Sequence, residues 1–267
     1  MAAPTAHNTF LSVVIPTYNE SGRIANTVEQ IAHYLDERGL SAEILVVDDG
    51  SRDDTVKEAQ NSRHGRAVLR VLPNALNRGK GFAIKCGVRE ATGQVVLFTD
   101  VDLAVPPREF DKFLPAISRG ADVVIGSRRL GGSPLRRWIP GLNYSSSIKV
   151  HQPLRRELLG EVYQSFVRLF LGLNVKDTNC GFKCFRADVA KRIFAQMTVE
   201  RWGFDAEILL LAKRYGCRVE ELEVEWHDGG TSKVNMFTAP FSSLAEVFRI
   251  KANDLRGAYR DNGGKNG

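Results

Sequence analysis

Five short apolar runs, each separated from the next by a segment of helical character, constrain this chain more than any other feature. They are "LSVVIP" (11–16), "AEILVVDD" (42–49), "AVLRVLP" (67–73), "QVVLFTD" (94–100) and "ADVVIGSR" (121–128). Strands that are nearly continuous in Val, Ile and Leu need cover on both faces, and helices between them supply it, so the pattern predicts an α/β fold with a mostly parallel sheet. Between the first two runs, Ile24, Val28, Ile31, Ala32 and Leu35 fall on one helical face. Ser21 is the expected N-cap of that helix and Gly39 its stop. "GSRDDTVKEAQ", "NRGKGFAIKCGVREA" and "PPREFDKFLPAI" read as further helices, the last with its prolines in the tolerated first turn. Ligands in such sheets bind beyond the carboxyl ends of the strands.

The second half is organised differently. Residues 130–147 are rich in Gly, Pro and Ser and read as a loop. Residues 149–172 form a long helical pattern, "CGFKCF" (180–185) a short strand, 203–215 a helix, and "CRVEELEVEW" (217–226) a half-exposed strand. The division expected is a flexible start (1–10), one catalytic domain (11–234, with halves 11–128 and 129–234), an amphipathic tail (235–260) and a disordered end (261–267).

Chemistry concentrates where the strands end. The first run leads into "PTYNE", the second into "DDGS" and the fourth into "DVD". In a parallel sheet these ends meet on one edge, where gathered carboxylates repel unless a cation sits among them. Asp100 and Asp102, spaced i, i+2, can reach one ion if the chain turns at Val101. Hard oxygen ligands suit Mg2+ or Mn2+, commonly completed by substrate phosphates. "NRGKG" (77–81) sets Lys80 between glycines at a helix start, where backbone N–H groups and an ammonium suit a diphosphate. It lacks the GxxxxGK(S/T) spacing of a nucleoside-triphosphatase loop, and no GxGxxG follows the first strand. Asp48 and Asp49 are candidates to accept hydrogen bonds from a base or ribose.

Composition narrows the partners. The 267 residues, 43% of them hydrophobic, suffice for a substantial core, and a net charge of +6 favours anionic partners. Basic residues are thinly spread and no nucleic-acid motif appears, so nucleic acid is not expected. Cys86, Cys180, Cys184 and Cys217 lack metal-site spacing and read as free, buried thiols of a reducing compartment. No apolar leader opens the sequence and no run approaches the ~18 residues of a bilayer span.

In order and spacing, "SVVIPTYNE", "ILVVDDGSRDDT", "NRGKGFAIKCGV" and "FTDVDL" resemble the nucleotide-sugar half of family 2 glycosyltransferases. "GSR", "DTNCGFKCF" and "ERWGFDAEILLLA" are similar to the dolichyl-phosphate sugar synthases, above all the β-glucosyltransferase branch and its polyprenyl-phosphate relatives. The resemblance covers roughly residues 11–234. It implies a GT-A fold and inverting transfer of a hexose, with UDP-glucose the favoured donor and a polyprenyl or dolichyl phosphate the acceptor. Carried over by position, Pro16, Tyr18 and Glu20 line the nucleotide pocket and Asp48 or Asp49 meets the base. Lys80 approaches the diphosphate, Asp100 and Asp102 hold the metal, and Arg128, Arg156, Ser232 and Lys233 receive phosphate groups. Mannosyltransferase relatives often read DxDxQ where Ala104 stands here, and arginine where His227 stands; both departures favour the glucosyltransferase branch. A mannosyltransferase using GDP-mannose and a hydroxyl-directed family member are the alternatives.

Transfer to a phosphate needs no obligatory base, so Asp205 is read as positioning sugar hydroxyls or a basic side chain, or simply as complementing a helix dipole. A polyprenyl acceptor places the enzyme at the cytoplasmic face of a membrane as a peripheral protein, alone or with a membrane-anchoring subunit. Arg136, Arg137 and Trp138, and the tail residues Phe237, Phe241, Leu244, Phe248 and Ile250, are the expected interfacial contacts.

Overall fold

The computed structural model describes residues 9–130, 154–227 and 239–259, with the side chains of 154–159 and 239–242 left out. The first half builds the predicted alternation: β1 (Leu11–Thr17), α1 (Ile24–Glu37), β2 (Ala42–Asp48), α2 (Thr55–Gln60), β3 (Val68–Pro73), α3 (Lys80–Glu90), β4 (Val95–Phe98), a 3-10 turn (Pro107–Glu109) running into α4 (Phe110–Ser118), and β5 (Val123–Ser127). The second half adds α5 (Leu154–Leu171), β6 (Lys183–Arg186), α6 (Ala187–Gln196), α7 (Phe204–Arg214), β7 (Val219–Glu223) and α8 (Ala239–Leu255).

All seven strands of the described residues join one sheet in the order β3-β2-β1-β4-β6-β5-β7. Every residue of β1, β2, β4 and β5 is buried, whereas the edge strands β3 and β7 are largely half-buried. Side chains alternate between two cores. Val14, Leu45, Val47 and Phe98 point toward α3, α6 and α7, and Val13, Ile15, Ile44 and Val46 toward α1 and α4. The period-2 alternation is invisible in the sequence because both faces are apolar.

The sheet is mostly parallel, as expected; the exception is β6, which runs antiparallel to both β4 and β5, pairing Lys183 with Phe98 and with Ile125. A strand of four residues carries no directional signal of its own. Helix α6, whose buried stripe is Val189, Ala190, Ile193 and Phe194, was not anticipated. Ser21 does not cap α1. Residues 21–23 form a turn in which Gly22 takes φ 79°, and the Ser21 and Gly22 N–H groups donate to Asp53 and Glu58, so the helix starts at Ile24. Gly39, at φ 61°, ends it as expected. All four thiols are free, with Cys180 and Cys184 buried and Cys86 and Cys217 half-buried.

Candidate active site

The carboxyl ends of β1, β2 and β4 form one rim, and hydrogen bonds fix its loops. Asn19, at φ 53°, donates its N–H to the Ser51 hydroxyl (2.8 Å) and accepts the Arg52 N–H (2.9 Å), stitching the β1 loop to the β2 loop. The Glu20 N–H donates to Thr55 Oγ1 (2.8 Å), and the Glu20 carboxylate pairs with Arg23 at 3.3 Å. Pro16 is buried at the end of β1, and Tyr18 stands 39% exposed on the rim.

Asp48 and Asp49 are buried and their carboxylates are occupied. Asp48 accepts the N–H groups of Gly50 (3.1 Å) and Ser51 (2.9 Å) together with the Ser51 hydroxyl. Asp49 accepts the N–H groups of Arg78 (3.1 Å) and Gly79 (2.7 Å). Burial raises the Asp49 carboxyl above its usual pKa, those two N–H groups oppose the rise, and the charge of Asp48 adds to it. The "NRGKG" stretch is therefore built differently from a phosphate loop. The Gly79 N–H serves Asp49, and the Gly81 and Phe82 N–H groups donate to the Arg201 and Glu200 carbonyls (3.3 and 2.9 Å). A Cβ on Gly81 would lie 2.8 Å from Phe204 Cβ, so this glycine serves close packing. What the segment offers the rim is the Lys80 side chain.

Lys80 Nζ is salt-bridged to Asp100 Oδ1. Beyond β4 the chain turns tightly, with Leu103 at φ 47°, the Leu103 N–H on the Asp100 carbonyl (3.2 Å) and the Ala104 N–H on Asp102 Oδ1 (3.0 Å). Thr27 Oγ1 donates to the Val101 carbonyl (2.6 Å) and the His227 N–H to the Ala104 carbonyl (2.7 Å), pinning the turn from two sides. Asp102 is exposed. Loss of surrounding water raises its carboxyl pKa first, and the like charge of Asp100 second.

Beneath the rim lies a second pair, of which the sequence singles out only Asp205. Lys183, on β6, is fully buried; its Nζ donates to the Cys180 carbonyl (2.7 Å), pairs with Asp205 and lies 5.4 Å from the centre of the Phe98 ring. Burial raises the Asp205 carboxyl, opposed by Lys183 and Lys80. Burial likewise works against the charge of Lys80, but Asp100, Asp205 and Asp102 outweigh it and hold its pKa above the ordinary lysine value. Three carboxylates and two ammonium groups thus interact in one cluster whose formal charge, 2 − 3, is −1. A net negative rim next to a lysine fits a divalent cation. Among the described residues no group of three or more His, Cys, Asp or Glu side chains forms a metal cage. The donor set is instead two hard carboxylates, which suits an ion that keeps water and phosphate ligands. Space for one of them is reserved: a Cβ on Gly181 would sit 2.0 Å from Asp100 Oδ2.

On the far side, Arg128 makes a bidentate pair with buried Asp177: Nε to Oδ2 at 2.7 Å and one terminal nitrogen to Oδ1 at 2.9 Å. Burial alone would raise the Asp177 carboxyl; Arg128 overrides it and holds the pKa well below the usual carboxylate range. Gln164 anchors the same loop by accepting the Thr178 N–H (3.0 Å). β5 and β4 both run antiparallel to β6, so Arg128, just beyond β5, leaves the sheet on the same edge as Asp100 beyond β4. Arg156 falls in the first turn of α5 with its side chain outside the described residues, and Ser232, Lys233, Arg136, Arg137, Trp138 and Phe237 also lie outside them. Asp177 and Lys183 had a sequence signal that passed unused: a lysine between Phe182 and Cys184 in an apolar strand, and an aspartate before "TNCGF".

A seven-stranded, mostly parallel sheet with an acidic pair beyond β4 defines a glycosyltransferase of the GT-A fold. The chain belongs to glycosyl transferase family 2, whose model matches residues 12–194. Among characterised relatives it is 30% identical over 264 residues to dolichyl-phosphate beta-glucosyltransferase of Dictyostelium discoideum, covering 95% of this chain and 77% of that one. The enzyme of the same name from Saccharomyces cerevisiae is 33% identical over 270 residues, again 95% and 77% of the two chains. A similar solved structure is glucosyl-3-phosphoglycerate synthase from Mycobacterium tuberculosis in complex with Mn2+, UDP-glucose and phosphoglyceric acid. It has a TM-score of 0.58 and 20% identity over 95% of this chain and 82% of that one. No described helix is long and apolar enough to cross a membrane.

Proposed function

We propose that the chain transfers glucose, with inversion, from UDP-glucose to the phosphate of a dolichol-type polyprenyl phosphate at a membrane surface. One observation carries the choice of a phosphate over a hydroxyl as nucleophile: Asp205, the buried carboxylate beside the rim, is already bound by buried Lys183. A hydroxyl acceptor needs a base to take its proton. A phosphate monoester, with a second pKa near about 6, arrives ionised. The names of the relatives support the sugar and the acceptor, and the ligands of the Mycobacterium tuberculosis enzyme support the donor and the metal.

In this reading Pro16, Tyr18 and Glu20 line the nucleotide pocket, and Asp48 and Asp49, whose carboxylates are taken up by backbone N–H groups, fix the loop on which the base rests. Asp100 and Asp102 would hold Mg2+ or Mn2+, which when bound supplies Lewis-acid neutralisation of the leaving diphosphate. Lys80 faces that diphosphate from the Asp100 side. Arg128 keeps further N–H groups beyond those given to Asp177, and a guanidinium so oriented binds phosphate oxygens in pairs. Arg156, Ser232 and Lys233 complete the acceptor-phosphate set. An acceptor oxygen bonds to the anomeric carbon as the bond from that carbon to the diphosphate breaks, and the electron pair leaves with UDP. Groups held in place for developing charge are the main source of rate in such a step.

The test is incubation of the protein with radiolabelled UDP-glucose or GDP-mannose and polyprenyl phosphate, with and without chelator. The expected product is a chelator-sensitive, lipid-extractable glucosyl phosphate made from UDP-glucose. Label carried from GDP-mannose instead, or delivered only to hydroxyl acceptors, refutes the proposal.

A further inference from the structure

Helices α5 and α8 carry an apolar stripe that runs outward from the core, against which its half-buried Phe166 and Phe170 pack. On α5, Val162 is 60% and Leu169 86% exposed, with Phe166 between them; the spacing i, i+4, i+7 puts all three on one side. On α8, Phe248 is 54% exposed and Leu255, two turns on, 76%. The rings join the helices: Phe166 stacks on Phe170 at 5.2 Å, and Phe170 meets Phe248 edge-on at 5.1 Å. Scattered exposed apolar residues need no explanation, but a continuous stripe across two helices marks a contact surface.

Arg249 and Arg256 each follow an exposed apolar residue, are exposed themselves, and make no salt bridge with a described residue. The described acidic side chains of the same helices are engaged elsewhere. Glu161 is salt-bridged to Arg129, Glu246 accepts the Gly203 N–H (2.7 Å), and Asp254 is held by two Arg214 nitrogens at 2.6 Å. Next to Leu169 an open depression is lined by Arg168, Asn174, Lys176 and Glu221, whose carboxylate accepts the Lys176 and Asp177 N–H groups. The surface is therefore apolar, with the exposed arginines Arg249 and Arg256 beside it.

Its location matters as well. The helices that bear the stripe also wall the acceptor side of the rim: Glu161 holds the neighbour of Arg128, Gln164 holds Thr178, and Glu246 holds Gly203, two residues before Asp205. We infer that the α5–α8 face docks on an anionic phospholipid bilayer, with Val162, Leu169, Phe248 and Leu255 at the headgroup–acyl boundary and Arg249 and Arg256 against the lipid phosphates. An amphipathic surface of this kind lies in the interface plane. Docked there, the rim faces the depth at which a polyprenyl phosphate carries its headgroup while the prenyl chain stays in hydrocarbon. The inference rests on the proposed lipid acceptor.

The experiment is flotation of the whole protein with phosphatidylcholine vesicles, with and without phosphatidylglycerol, beside calorimetric titration with UDP and Mn2+ in the absence of lipid. Wild type is expected to float with the anionic vesicles and to be released by high salt. The double variants Leu169→Glu/Leu255→Glu and Arg249→Glu/Arg256→Glu should each lose roughly tenfold or more in the bound fraction, with unchanged Tm and UDP affinity. Intact UDP binding without vesicle binding overturns the docking face alone; absent UDP binding overturns the reading of the rim. Undiminished flotation of both double variants also overturns the inference. So does a wild-type dimer in light scattering that Leu169→Glu/Leu255→Glu dissociates, because the face then belongs to a second copy of the chain.

Discussion

Two neighbouring edges of the rim carry aspartate pairs and use them in opposite ways. Beyond β2, Asp48 and Asp49 are buried, and between them they accept four backbone N–H groups and one hydroxyl. Beyond β4, Asp100 and Asp102 stand at the surface; their described partners are the Lys80 ammonium and the Ala104 N–H. The first pair builds a loop from inside. The second keeps oxygen lone pairs for something that arrives from outside. Carboxylates of equal formal charge thus separate into scaffold and ligand by how much of their accepting capacity the fold has already taken.

A third carboxylate gives the sharpest test of that rule. Asp177 is fully buried and tied to Arg128, so Asp177→Asn should destabilise the protein by about 3–5 kcal/mol at pH 7 through the stranded guanidinium. Because the folded pKa of Asp177 is depressed, its contribution is present above the ordinary value of 3.8 and fades as pH falls through the range below it. Urea melts of wild type and Asp177→Asn should therefore converge on acidification below that value; a constant gap refutes the assignment. Next in size, Asp102→Ala should lower glucosyl transfer on the order of 10²–10³-fold with Tm unchanged, as for loss of one preorganised electrostatic group. Near-wild-type turnover, or a collapsed melting curve, would erase the contrast between the two pairs. Asp49→Ala should do the reverse, costing roughly 2–3 kcal/mol in chemical denaturation because two N–H groups lose their acceptor. Smallest, Ser51→Ala removes one hydroxyl from Asp48 and one acceptor from the Asn19 N–H, and should cost about 1 kcal/mol, again in stability.

The parallel half of the sheet was legible because five apolar runs leave it no other way to cover both faces. The rim was legible too, since strand ends and acidic clusters coincide. What stayed hidden depended on tertiary placement. Nothing in "CGFKCF" announces that its strand runs backwards, or that Lys183 lies beneath Asp205. The glycines of "NRGKG" read as room for phosphate, whereas Gly81 lets α3 close on Phe204. The tail was read as interfacial as a whole. Its helical period instead splits it, sending Val247 and Ile250 into the core and leaving Leu244 half-buried, with Phe248 alone outward among the described members of the expected set; Phe237 and the Phe241 side chain lie outside the described residues.

The inverted strand β6 also sets the order in which the molecule can assemble. It fills the place between β4 and β5, though it is synthesised well after both. A ribosome-bound chain ending near residue 128 therefore holds β4 with one side open and β5 with no neighbour to pair with. Such a nascent chain exposes an apolar, unpaired edge until residue 186 has emerged. The stretch between β5 and β6 is thus a waiting period during synthesis. A truncation before β6 should yield aggregates rather than a free-standing nucleotide-binding module.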